Sequence, residues 1–380
     1  MLPVRMPPRQ PQDYDVCVVG AGFAGLCCAE AAAARGTRTL VLERQAAPGE
    51  RPRTTGILVK EIADAWDFPA RLTRRIHGVR LYSPSLDYLD LTSPGYYFLA
   101  TDTPGILRWL GERAAQAGAT IAGDRPYRGA EREAASIRLA GHDLRCRYLV
   151  GADGARSRVA RDFSLDGNRH FLLGVEAEYE GIGGLDEDRF HVFLDSVHAP
   201  GYIGWVIPGV GITQVGLAVR RPHTPDLAAF TAKLATLFDF SQAQLTGRRG
   251  GLIPCDGVLR RISDHRVLLV GDAAGMVSPL TAGGIHPAME IGRAAGIAIS
   301  DHLLEAAPHP LRAVRQVTPS YLAKRMMRLA YDTLPMPDRA WNILFRSPLF
   351  RHLAQTIFFH HRGLLSFEAW RDLLRLTRGA

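Results

Sequence analysis

The sequence predicts a mixed α/β fold: a Rossmann-type domain interleaved with an antiparallel-sheet domain, followed by a helical C-terminal region. Three observations predict it. "YDVCVVG" runs into Gly20-x-Gly22-x-x-Gly25, then an alanine-rich helix, then the strand "TRTLVLE". Residues 146–161 and 266–296 each pass from an apolar strand through a glycine turn into a helix. Between them, "RFHVFLD", "YIGWVIP" and "TQVGLAVR" alternate as consecutive antiparallel strands.

The first unit has a physical reason at each step. Its glycines let the chain turn tightly, let backbone approach a pyrophosphate, and let helix and strand pack closely. The helix start at Phe23 and Ala24 offers free amides and a positive dipole end to phosphates, and Gly36 ends the helix. Glu43 closes the second strand, where a carboxylate suits a ribose diol, with Arg44 beside it. Glycines serving packing alone explain neither the spacing nor the acid. The unit reads as a dinucleotide site whose acid disfavours a 2′-phosphate and leaves NAD and FAD both open.

Composition narrows the classes. The 380 residues are 47% hydrophobic and 22% charged, as in a globular chain of one large domain or two intimate ones. The net charge is 46 − 38 = +8, yet only three basic residues are lysines and no basic run is interleaved with aromatics. This argues against nucleic acid and for an anionic ligand or an acidic membrane surface. Neighbouring Cys27 and Cys28, among five cysteines, suit neither a disulfide framework nor a metal site and read as reduced cytoplasmic thiols. "MLPVRMPPRQPQDY" has no apolar signal-peptide core, and no apolar run reaches the roughly 20 residues of a membrane span. The expectation is a cytoplasmic protein, at most peripheral to the inner face of the membrane.

The two later stretches choose the nucleotide. "CRYLVGADGARSRVAR" sets Asp153 at a strand end; "RVLLVGDAAGMVSPLTAGGIHPAMEIGRAAG" sets Gly271 and Asp272 at another. Pro279, Gly283 and Gly284 then lead into a helix at Ile285. A carboxylate there suits ribityl hydroxyls, and a glycine-rich helix start sets amides against an electron-rich flavin edge. Each alone reads as an ordinary turn. Together they point to FAD.

On these motifs the chain resembles the FAD-dependent enzymes of the aromatic-hydroxylase fold, over roughly residues 13–300. Within them it resembles the geranylgeranyl-reductase-like branch, through "GVRLYSPSLDYLDL", "GDAAGMVSPLTAGGI" and "PGYIGWVIPGVGITQVGLAV". The last is similar to a Tyr-x-Trp-x-Phe-Pro signature, spelled here with Tyr202 or Ile203, then Trp205, Ile207 and Pro208. It is also similar to the Trp-x-Trp-x-Ile-Pro signature of flavin halogenases, with Ile203 at the first tryptophan. Three departures stand out. Ala282 replaces the first of the usual loop glycines. Thr103 stands where relatives often carry an FAD-contacting arginine, leaving Arg53 or Arg108 to supply that charge. "RPRTTGILVKEI" lacks the cysteine that the branch often has near its second flavin-contact segment.

The sequence divides into an FAD-binding domain (1–75, 103–165, 262–300), a substrate sheet and domain (76–102, 166–261) and a helical region (301–380). "GVGITQVG" has the wrong spacing for a second nucleotide loop and falls within the sheet. No second nicotinamide domain is visible. The resemblance therefore implies NAD(P)H visiting the flavin transiently, or a separate electron-donor protein.

The resemblance also implies reduction of carbon–carbon double bonds in an isoprenoid or other long apolar substrate, by flavin hydride transfer. Strand alternation sends Trp205 and Ile207 to one face and Tyr202, Gly204 and Val206 to the other. Trp205 is thus the candidate cavity wall, with packing between sheet and flavin domain as its plain alternative. His286 is the candidate proton donor, against the commoner role of a helix-end contact. Aromatic hydroxylation by a monooxygenase shares every FAD motif and remains an alternative. Halogenation wants a lysine between the pockets, with Lys60 nearest to the expected region. An electron-transfer flavoprotein is the alternative of another class. The tail from Arg339 alternates Arg and His with Phe, Leu, Ile and Trp, which suits a docked helix pair or a surface resting on anionic lipid.

Overall fold

The computed structural model describes residues 13–305, 307–333 and 336–359. The first sheet has eight strands, five of them parallel in the order Val267–Leu269, Leu144–Gly151, Asp13–Val19, Thr39–Leu42 and Thr120–Ala122, with Ser263–Asp264, Ile137–Leu139 and Ala130–Arg132 added antiparallel. Within strand Asp13–Val19 the apolar run Val16–Val19 is buried, with helix Phe23–Ala34 packed against the strand. Helix Phe23–Ala34 packs against helix Ile285–Glu305 through small residues. A Cβ added at Gly292 or Gly296 would strike the carbonyls of Ala24 or Cys28, so the two backbones touch. Helix Thr103–Gln116 is capped by Asp102, whose Oδ1 accepts the Gly105 N–H at 3.0 Å.

The second sheet has seven strands, in the order Gln244–Pro254, Phe171–Glu180, Thr213–Arg220, Gly204–Pro208, Arg189–Phe193, Gly78–Tyr82 and Tyr88–Thr92. Only the Arg189–Phe193 and Gly78–Tyr82 pair runs parallel. "GVGITQVG" forms the turn and start of strand within this sheet. A small third sheet joins Ile57–Val59, Phe98–Thr101 and Thr73–Ile76, so residues 76–102 contribute to two sheets. One face of the large sheet buries Phe193, Val206, Val215 and Leu217 against Phe230 and Leu234 of helix Leu227–Leu234. The other face carries Phe190, Val192, Trp205 and Ile207.

Tyr202 departs from the alternation expected of it. It packs with Leu172 and Ala218 beside Trp205, not on the Val206 face. The reason is that the strand starts only at Gly204, and Tyr202 belongs to a turn closed by its N–H on the Ala199 carbonyl at 3.0 Å.

Four helices follow, Leu311–Val317, Leu322–Thr333, Asp338–Leu344 and Pro348–Phe359. The part of the sequence-predicted amphipathic tail from residue 360 lies outside the described residues. All five cysteines are free thiols, four of them buried. Among the described residues no helix is long and apolar enough to cross a membrane, and no cluster of side chains fits a metal ion.

Candidate functional site

A single continuous cavity of about 2220 Å³ lies between the parallel sheet, the large sheet and the C-terminal helices. Ligand pockets commonly measure about 300–1,000 Å³. This one therefore has room for a dinucleotide and a second molecule together.

The first glycine motif forms one end. Gly20 has φ +103°, and a Cβ there would stand 2.5 Å from the Ala152 carbonyl. A Cβ on Gly25 would collide with the Gly20 carbonyl, so this glycine sets the helix against the strand behind the cavity wall. Gly22 is different: nothing lies within 4 Å of a Cβ placed on it, and it lines the cavity with Phe23 and Ala24. Helix Phe23–Ala34 has no side-chain cap and no acid in its first turn. Its amides and dipole are open to an anion.

Glu43 holds this end in place. Its Oε2 accepts the Ala21 N–H at 2.8 Å and its Oε1 the Gln45 N–H at 2.9 Å. Arg44 and Arg53 line the cavity beside it. Burial, with repulsion from Arg44, lowers the Arg53 pKa. Arg108 lies elsewhere. It is exposed on helix Thr103–Gln116, whose inward face is Ile106, Leu107 and Leu110, so the helical period turns it to solvent.

The two strand-end acids differ in kind. Asp153 borders the cavity, but Ser157 Oγ donates to its Oδ1 at 2.6 Å. The Arg158 and Val159 amides reach Oδ2 at 2.7 and 3.1 Å, so its charge is spent on starting the next helix. Asp272 borders the cavity with some surface open toward it, and its carboxylate takes no hydrogen bond from the described residues. Close packing around it withdraws water and pushes its carboxyl up to about 6. That is the profile of an acceptor completed by a ligand's hydroxyls.

Beyond Asp272 the loop is tied by Ser278, whose N–H donates to the Gly283 carbonyl at 3.1 Å and whose carbonyl accepts the Ala282 N–H at 3.0 Å. Ala282 takes φ +52°, a conformation glycine adopts more easily. Gly271, Gly283, Gly284 and Ile285 line the cavity. Pro279 does not; it is buried against Gly257. His286 lines the cavity, with Nε2 3.0 Å from Glu290 Oε1 one turn along the helix.

The large sheet floors the other end. Its register aligns Arg249, Glu176, Gly216, Trp205, Val192 and Leu81 across six strands. All but Gly216 border the cavity. Gly216 explains the row's geometry. A Cβ there would stand 2.5 Å from the Trp205 ring, so its absence lets the indole lie across the strand. Trp205 Nε1 thereby donates to Glu176 Oε2 at 2.9 Å, and Thr55 Oγ1 donates to the same oxygen at 2.8 Å. Trp205 is thus both cavity wall and partly packed side chain.

Sequence reasoning missed Glu176, Thr55 and Arg249, which meet only through strand register. The local signal was three acids at alternate positions, Glu176, Glu178 and Glu180, in the second half of a strand whose first half is apolar. It also missed that the C-terminal helices supply cavity wall, through residues including Tyr331, Phe350 and Leu353. Lys60 does not line the cavity and pairs instead with Asp64. The lysine that does line it is Lys324.

Residues 13–313 match the family model described as an FAD binding domain. The "Digeranylgeranylglycerophospholipid reductase 2" of Methanopyrus kandleri is 32% identical over 307 residues, covering 75% of this chain and 76% of that protein. A geranylgeranyl bacteriochlorophyll reductase-like protein from Thermoplasma acidophilum has a TM-score of 0.79 at 22% identity, covering 96% of this chain and 99% of that one. The flavin-dependent brominase Bmp2 has a TM-score of 0.69 at 16% identity, covering 96% and 99%. These two structural likenesses show the fold alone. The glycine cradle, the sheet-floored cavity and the sequence matches together identify this chain as a member of the FAD-binding domain family and, within it, of the digeranylgeranylglycerophospholipid reductase family.

Proposed function

We propose that this FAD-dependent oxidoreductase reduces carbon–carbon double bonds in a long isoprenoid lipid. The undivided cavity carries the reading: a dinucleotide cradle opens directly into a chamber walled by apolar side chains. Gly20, Gly22, Phe23 and Ala24 would hold the pyrophosphate, with Gly25 keeping the turn tight behind them. Glu43 and Arg44 would meet the ribose, Arg53 a phosphate, and Asp272 the ribityl hydroxyls. Gly283, Gly284 and Ile285 would offer amides to the flavin edge. Bound and reduced, FAD supplies a hydride. Trp205, Tyr202, Ile207 and Val192 hold the alkene by apolar contact and exclude water from it. The names of the archaeal relatives support the substrate class. Electrons come from NAD(P)H visiting the flavin or from a separate donor protein.

The test is anaerobic reduction with dithionite followed by a geranylgeranyl lipid. The expected product has gained two hydrogens per reduced bond. An oxygenated product, formed only in air, would replace the reductase with the monooxygenase.

A membrane-facing surface belongs to the same proposal. Leu322, Met326 and Leu329 form one exposed stripe on helix Leu322–Thr333, with Ile343 and Leu349 exposed nearby in the chain. Leu322 and Leu349 also line the cavity, so the stripe borders its mouth. Arg325, Arg339, Arg346 and Arg351 lie on the same helices or their connections. Flotation should show association with acidic liposomes that weakens as salt rises. No salt-dependent association would remove this surface from the proposal.

A further inference from the structure

The apolar chamber has a direction. Helix Pro348–Phe359 runs along it: Leu349, Phe350, Leu353, Ala354, Ile357 and Phe358 all border the cavity, a spacing that keeps to one helical face. From Leu349 to Phe358 that face extends about 14 Å along the helix axis. Its two ends differ. Leu349 is 58% exposed at the cavity mouth, whereas Phe359 is 1% exposed. The helix therefore leads from solvent into the interior. The large sheet supplies the facing wall, with Trp205, Val192 and Leu81 side by side on neighbouring strands and Ile207 and Phe190 on the same face.

At the inner end this channel meets rings. Phe98 and Phe190 border the cavity, both are buried, and their ring centroids are 5.3 Å apart. Phe359 packs against Phe98 at 5.6 Å, and Tyr96 meets Phe98 at 5.2 Å and Phe359 at 5.5 Å. The four rings come from two strands, a loop and a helix, so they interlock across separate elements. Each side is also tied down. The Tyr96 hydroxyl donates to Glu61 Oε2 at 2.9 Å. Arg351 Nη2 and Gln355 Nε2 donate to the carbonyls of Asp90 and Thr92 at 3.0 and 2.6 Å, fastening the helix to edge strand Tyr88–Thr92. Close packing of this kind does not yield to the rotation of one side chain.

Resting on the reductase reading, we propose that Phe98 and Phe190, backed by Tyr96 and Phe359, are the stop of a one-ended channel that limits how many isoprene units the substrate chain carries. The chain enters tail first, because a buried apolar end would leave a polar head without hydrogen bonds. Its last unit rests on the two phenyl rings. Helix Pro348–Phe359 flanks the preceding units on one side, with Val192 and Trp205 on the other. Length is thus read from the tail, by residues outside the glycine cradle.

The test reads binding without reduction. Oxidised holoenzyme in detergent is offered a mixture of fully saturated isoprenoid alcohols of increasing length, and the retained chains are measured by mass spectrometry. Wild type should keep chains up to one length and reject the next unit about 10-fold or more, as expected of a group that overfills an apolar pocket. Phe190→Ala should admit that next unit. Ala354→Leu, which fills the channel short of the stop, should exclude the longest chain that wild type keeps. FAD content should be unchanged in both. A wild type with no such break, or a break unmoved in either soluble variant, overturns the proposal. If Phe190→Ala does not fold, Ala354→Leu decides alone. Wild type that holds the chains yet reduces no isoprenoid lipid would sink the reductase reading and leave the channel standing.

Discussion

An Asp272→Ala protein is expected to purify without flavin and, compared as apoproteins, to be more stable than wild type at neutral pH. The two effects have opposite signs because the acid suits the ligand and not the fold. Its carboxyl ionises at about 6 in the folded chain against an ordinary value of 3.8. The folded state thus binds the proton more tightly. Asp272's favourable contribution is full below 3.8 and lost as pH rises through about 6. A shift of that size corresponds to at most about 3 kcal/mol, and water in the cavity brings the expected gain on substitution to about 1–2 kcal/mol. FAD affinity moves the other way, since a hydrogen bond to a charged acceptor contributes about 1.5–3 kcal/mol, or roughly 10- to 150-fold. Wild-type affinity should also weaken as pH falls below about 6, where the acceptor is protonated. Flavin absorbance after gel filtration and apoprotein melting curves measure both effects. Unchanged flavin retention would remove Asp272 from the cofactor site.

Trp205→Ala should keep its flavin and lose turnover. Truncation opens the apolar wall and strips one of two donors from Glu176 Oε2. Complete burial would make the stability cost about 3–5 kcal/mol; Trp205 is half-buried, so about 2 kcal/mol is expected. Trp205→Phe separates the two roles, restoring apolar wall without the indole N–H. Its stability should approach wild type while turnover stays low. Loss of soluble protein in Trp205→Ala, with full turnover in Trp205→Phe, would make this residue a packing element only.

What the sequence disclosed was set by range. The strand, glycine turn and helix from Tyr14 to Ala34, and the strand ending beside Glu43, rest on neighbours in the chain. So does the alternation that put Trp205 and Ile207 on the cavity face. Of the two arginines offered for the charge missing at Thr103, only Arg53 borders the cavity and Arg108 faces away, because the phase of helix Thr103–Gln116 depends on how it docks. Tyr202 changed face because the strand begins two residues later than the alternation assumed. Glu176 became visible only when register set it between Arg249 and Gly216. No spacing within any one strand carries that juxtaposition.

The helix pair joined at Gly292 and Gly296 has a consequence for which nucleotide is accepted. With main chain against main chain, the separation of the two helix starts is set by backbone contact and does not adjust through rotamers. The pair acts as a ruler between the Gly22 turn and the Gly283 loop. FMN, which lacks the adenylate half, would satisfy one mark and leave the other bare.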